Sequence, residues 1–85
     1  MVIRSAEVRL ESTTQTAGHA RRFVTATLAR WQIVAATMET IVLLTSEVVT
    51  NAVRHGRGAV SVLIEQRKRT VRVSVQDQHR DLPRL

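Results

Sequence analysis

Apolar and polar positions change their spacing along the chain, and each change marks an element. From Val2 to Leu10 the pattern alternates, with Val8 and Leu10 on one side and Arg9 on the other, which predicts a strand. Ser12-Thr13-Thr14 then offers hydroxyls suited to capping a helix start. Ala17, Ala20, Val24 and Leu28 follow helical spacing, so a first helix is expected from about Thr14 to Arg30. Trp31 to Ala36 reads as a connection. A second helix is expected to begin near Thr37, with Ile41, Leu44, Val48 and Ala52 as its core stripe, and to close at His55-Gly56, since glycine readily takes the left-handed conformation that ends a helix. Gly58 helps the chain turn back. Val60, Val62 and Ile64, then Val71, Val73 and Val75, alternate with polar neighbours, predicting two strands joined through Gln66-Arg67-Lys68-Arg69 as a hairpin. The order β-α-α-β-β is that of an α+β fold, a two-layer sandwich with both helices on one face of a small sheet. A sheet this small is expected to leave an exposed edge that a further strand or a partner would cover.

Length and composition narrow the possibilities. With 85 residues there is room for a single domain and one modest core. The absence of cysteine removes disulfides and thiolate metal sites and fits a reducing compartment. The start Met1-Val2-Ile3-Arg4 lacks the apolar core of a signal peptide, and the apolar runs at Ile33–Ala36 and Ile41–Leu44 are far shorter than the roughly 20 residues a membrane span needs. A cytoplasmic protein without membrane contact is the expectation. The net charge of +6 favours polyanionic partners, among them nucleotides, nucleic acids and acidic proteins. Phe23 and Trp31 are the only aromatic residues, which argues against a base-stacking platform and so against a nucleic-acid binder.

The residues with the most chemistry lie on the second predicted helix. Glu47 and Asn51 are four positions apart, so their side chains stack on one face about 6 Å apart. On the predicted stripe they flank the Leu44–Val48–Ala52 row, and Arg54 continues the polar edge one turn on. An amide oxygen suits Mg²⁺, which prefers hard oxygen ligands and keeps several waters. A carboxylate one turn away can take a proton or orient a water, and an arginine can neutralise phosphate charge. Taken on spacing alone, a Glu and a polar residue at this distance describe an ordinary solvated helix face. Asp77, taken alone, is an ordinary turn former at a strand end.

The longer run changes that balance. Leu44-Thr45-Ser46-Glu47-Val48-Val49-Thr50-Asn51-Ala52-Val53-Arg54-His55-Gly56 resembles the N-box of the GHKL (Bergerat-fold) ATPases, in the form carried by bacterial anti-sigma-factor serine/threonine kinases. Ala20-Arg21-Arg22-Phe23-Val24 resembles their first-helix pattern, and Val71-Arg72-Val73-Ser74-Val75-Gln76-Asp77 looks like the strand entering the G1 box. The resemblance implies a partial Bergerat fold over residues 1–85, with ATP and Mg²⁺ as cofactors. It implies Glu47 as general base, Asn51 as Mg²⁺ ligand, Asp77 as the group reading the adenine amino group, and Arg54 as a phosphate contact. An anti-sigma antagonist protein and a sigma factor are the implied partners, and self-association as a homodimer is implied as well.

Two departures qualify these expectations. Gln78-His79-Arg80-Asp81-Leu82-Pro83 stands where glycines usually follow the G1 aspartate, and the G2 loop and ATP lid would lie beyond Leu85. The 85 residues by themselves are therefore expected to bind ATP weakly or not at all unless those parts are supplied, and kinase activity is left open. The rival reading is a non-catalytic module that sequesters a partner. Simpler roles are expected elsewhere: His55 at a helix end beside the dipole, Arg21 and Arg22 on a solvated edge with an acidic partner as the alternative, and Arg67 to Arg69 at a hairpin tip. His19, His55 and His79 lack metal-ligand spacing.

Overall fold

The computed structural model describes residues 1–55 and 58–77. Within them the order is β1 (Val2–Glu11), α1 (Thr16–Arg30), α2 (Ala35–His55), β2 (Ala59–Arg67) and β3 (Val71–Asp77). The expected α+β architecture is what the chain adopts, with a three-stranded antiparallel sheet in the order β1-β2-β3. The chain reverses at each connection. Two helices between β1 and β2 therefore return it antiparallel to β1, with Val8 opposite Val62 and Glu11 opposite Ala59. The β2–β3 hairpin closes through Arg67 N–H, which donates to the Thr70 carbonyl (2.8 Å), so the tip spans Lys68 to Thr70, slightly later than the spacing predicts.

One apolar layer joins the helices to the sheet. Val60, Val62 and Ile64 of β2 and Val73 and Val75 of β3 are buried against Ala20, Val24 and Leu28 of α1 and Ile41, Val49 and Ala52 of α2. The inward positions of β2, and Val73 and Val75 of β3, are fully buried, while Ala6, Val8 and Leu10 on β1 are only half-buried. The opposite face of the sheet is polar, with Arg9, Ser61 and Gln76 in one cross-strand row and Ser5, Glu65 and Arg72 in another.

Three local details depart from the expected pattern. The helix α1 starts at Thr16, and its N-cap residue Gln15 makes no side-chain capping bond. The hydroxyls act instead in the turn before the helix: Thr13 Oγ1 accepts from Gln15 N–H (3.0 Å), while buried Thr16 Oγ1 accepts from Thr13 N–H (2.7 Å) and donates to the Glu11 carbonyl. Thr16→Val keeps the shape and strands two backbone groups, so it is expected to lower unfolding free energy by about 1–3 kcal/mol, read from the urea midpoint.

The end of α1 follows a specific bonding scheme. Gln32 N–H donates to the Ala29 carbonyl and Ile33 N–H to the Leu28 carbonyl, both at 3.0 Å, which is a Schellman closure with Gln32 in the left-handed position at φ 58°. Glycine is the residue that adopts this conformation without strain. Gln32→Gly is expected to stabilise the fold by roughly 0.5–1 kcal/mol, raising the thermal midpoint by about 2–8 °C in a calorimetric or circular-dichroism melt.

The tight closure lets α2 begin at Ala35, earlier than the expected Thr37, because Met38 N–H already donates to the Val34 carbonyl (2.9 Å) and Ala35-Ala36 favour helix. Trp31, read from sequence as part of a connection, is buried and covered by the Arg4 guanidinium 5.5 Å from its ring centroid. Arg4 Nε also donates to Gln66 Oε1 (2.8 Å), tying the starts and ends of three elements together. Gly58 is left-handed at φ 86°, as its place in the turn into β2 requires. Gly56 and the residues after Asp77 lie outside the described residues.

Candidate functional site

The second helix turns differently from the simple reading of its stripe. Its buried positions are Ile41, Thr45, Val49 and Ala52, whereas Leu44 is 39 % exposed and Val48 half-buried. Thr45 can occupy the core because its hydroxyl donates back to the Ile41 carbonyl (2.7 Å), satisfying its polar atom within the helix and presenting its methyl to the core. Ile41 and Ala52 stay in the core while Thr45 and Val49 take the places expected for Leu44 and Val48, which turns the buried arc by roughly 50°. The expectation that Glu47 and Asn51 flank the core is therefore corrected. Both are exposed, on the side of α2 turned away from the core.

The shift assembles a continuous outer ridge. Leu44, Glu47, Asn51 and Arg54 are spaced three, four and three residues apart, so they rise along one face of α2, and all of them are exposed. Among the described residues the carboxylate, the amide and the guanidinium make no side-chain hydrogen bond or ion pair with one another or with a neighbour. The ridge thus presents a hard anionic oxygen, a neutral amide oxygen and a cation beside an apolar step. A ligand carrying both phosphate and an apolar ring needs groups of these kinds.

Topology brings the fourth sequence-derived residue to the same end of the molecule. β3 runs parallel to α2, and Asp77 closes it opposite Val60, near the start of β2 and a short turn beyond the end of α2 at His55. The side chains of Asp77 and His55 lie outside the described part of the structure, and so do Gln78 to Pro83 and His79.

One supporting contact has no signature in the sequence. Arg21 Nη1 of α1 donates to Ser46 Oγ of α2 (2.9 Å), next to Glu47. A partner 25 positions away is invisible to any local pattern. The expected solvated edge thus includes a link between α1 and α2 one residue from Glu47. A groove of about 370 Å³ between the two helices, lined by Arg21, Thr25, Met38, Val42, Leu43 and others, contains none of Glu47, Asn51 and Arg54. It is predominantly apolar. Among the described residues no three His, Asp or Glu side chains gather to hold a metal, and no helix is long and apolar enough to cross a membrane.

Comparison with known families agrees with the geometry. Residues 10–84 match the model of the histidine kinase-like ATPase domain. A search of curated proteins finds no match.

Proposed function

The chain belongs to the histidine kinase-like ATPase domain family, and from that premise we propose that it is a nucleotide-binding regulator of the anti-sigma-factor serine/threonine kinase kind, using the outer ridge of α2 as the floor of its MgATP site. The observation that carries the reading is the run of unpaired, exposed Glu47, Asn51 and Arg54 on one helix face. Three chemically distinct polar groups held on a rigid helix and left without protein partners are suited to an external ligand. The Ser46-Glu47-x-x-Thr50-Asn51-Ala52 run supports the kinase type.

Each residue has a role that its chemistry permits. Asn51 offers its amide oxygen to Mg²⁺, and Arg54 offers its guanidinium to phosphate oxygens. Glu47, one turn from Asn51, accepts the proton of a serine hydroxyl on an antagonist protein as its oxygen bonds to the γ-phosphorus of ATP and the bond to the bridging oxygen breaks, so that ADP leaves. Asp77 accepts a hydrogen bond from the adenine amino group. Bound Mg²⁺ supplies neutralisation of the charge on the transferring phosphoryl group. The apolar step at Leu44 provides surface for the non-phosphate part of the ligand. The proposed protein partners are the antagonist and a sigma factor.

Titration with a fluorescent ATP analogue, with and without Mg²⁺, tests the reading. Saturable binding that requires Mg²⁺ supports it. No binding at millimolar nucleotide by the folded chain supports the rival, a module of ATPase descent that acts by protein contact alone.

A further inference from the structure

Positive charge gathers where the β2–β3 hairpin turns. Arg67, Lys68 and Arg69 follow one another there, and Arg72 comes three residues later. Glu65 is the one carboxylate on this part of the hairpin, opposite Arg72 and 3.7 Å from the Arg67 guanidinium. Lys68 and Arg69 are exposed and have no ion pair among the described residues. The first acidic residue of α2, Glu39, lines the groove between the helices instead. Arg4, which also reaches this end, is engaged by Gln66 and Trp31. Gathering like charges on one turn costs repulsion, which a bound anion relieves. The cations also wall a hollow of about 280 Å³, whose other side is the connection from α1 to α2 with Ile33, Val34 and Thr37. Val34 is 70 % exposed, more than any other large apolar side chain among the described residues except Met1.

We infer that this hollow docks an acidic segment of a partner protein, with carboxylates toward Lys68 and Arg69 and an apolar side chain against Val34 and Ile33. Cationic and apolar walls facing each other call for a ligand that carries both chemistries, and clusters of basic side chains recognise acidic motifs in this way. A nucleic-acid backbone brings phosphates but no aliphatic group to cover Val34, and its bases stack on exposed aromatic faces. Here Trp31 is buried and Phe23 half-buried in the helix layer. A lipid surface takes up an apolar face that protrudes among cations, whereas Ile33 and Val34 line a concavity. Its volume lies just below the range of about 300–1,000 Å³ usual for small-molecule pockets, and suits one or two side chains of a peptide. The hollow opens at the start of α2. Glu47, the nearest of the three polar residues on the ridge, is ten positions beyond Thr37, or roughly 15 Å along the helix. Both surfaces can therefore be occupied at once, and the inference does not depend on the nucleotide reading.

Fluorescence anisotropy in nucleotide-free buffer tests it, so failure of the ATP proposal leaves the result intact. The probe is a labelled short peptide with one leucine among glutamates and aspartates. The native chain is expected to bind it saturably, and less tightly as salt rises. Lys68→Glu and Arg69→Glu are each expected to weaken binding about fivefold or more. Arg22→Glu makes the same change of charge on α1, outside the hollow, and is expected to cost less than about twofold. Val34→Ser, or serine for the leucine of the peptide, is expected to weaken binding about threefold or more. Lys68, Arg69 and Val34 are exposed, so these variants keep the core intact. Absence of saturation at millimolar peptide overturns the inference, as does an Arg22→Glu loss equal to that of Arg69→Glu, which would mean attraction by net charge alone. Indifference to both serine changes overturns it too. So does tighter binding of a duplex oligonucleotide or of phosphatidylglycerol vesicles than of the peptide.

Discussion

Replacing Asn51 by alanine is expected to weaken nucleotide binding about tenfold or more and to abolish its dependence on Mg²⁺. The effect follows from the proposed division of labour on the α2 ridge. Loss of the amide oxygen removes the one neutral ligand the protein offers the metal, and changes even to the surroundings of metal ligands commonly cost 10- to 100-fold in affinity. Asn51 is exposed and unpaired among the described residues, so the change leaves the core untouched and a melting curve should hardly move. Glu47→Gln is the informative companion. It keeps size and hydrogen-bonding capacity while removing the proton acceptor, so binding should stay within a few-fold of native. Equal losses from both substitutions would mean that Glu47 as well as Asn51 holds the nucleotide or its metal. A loss from Asn51→Ala that persists without Mg²⁺ would remove the metal from its role.

The second large effect concerns stability. Leu28 is fully buried where α1 meets the sheet, and it is among the largest of the fully buried side chains. Leu28→Ala removes its transfer free energy and leaves a cavity, together about 2–5 kcal/mol. A chain of 85 residues has a total stability on the order of 4–13 kcal/mol, so the variant gives up a large share of it. The thermal midpoint is expected to fall by about 10–30 °C, measured by circular dichroism at 222 nm. A fall of under 5 °C would mean that the helix layer and the sheet share less of the core than the burial of Val24, Leu28, Val62 and Ile64 implies.

The same two residues show what could be read in advance. Leu28 lies on a stripe with Ala20 and Val24, so helical spacing identifies the helix and the apolar part of its buried face, though not the buried Thr16 and Thr27 beside it. The strands β2 and β3 are equally legible, because period-two alternation of Val and Ile has few other physical solutions. The sequence also places Glu47 and Asn51 one turn apart on a helix, since that depends only on helical rise and twist.

The direction in which that pair faces is a different kind of fact. Leu44 and Val48 are more hydrophobic than Thr45, and a stripe chosen by hydrophobicity selects them. In the fold Thr45 satisfies its hydroxyl on the Ile41 carbonyl and enters the core with Val49. Leu44 joins the exposed ridge instead. Two neighbouring stripes on one helix differ little in apolar content, and only packing against α1 and the sheet decides between them. Long-range partners such as Arg21 with Ser46 and Arg4 with Trp31 and Gln66 belong to the same class. So does the left-handed Gln32, where the fold requires a conformation that the residue itself disfavours.

Local periodicity, set by the geometry of the backbone, therefore determines the elements and the spacing of the candidate site residues by itself. The rotation of α2, the exposure of its polar ridge and the open edge of β1 depend on which surfaces can pack together with their polar atoms satisfied, and only the tertiary structure decides them.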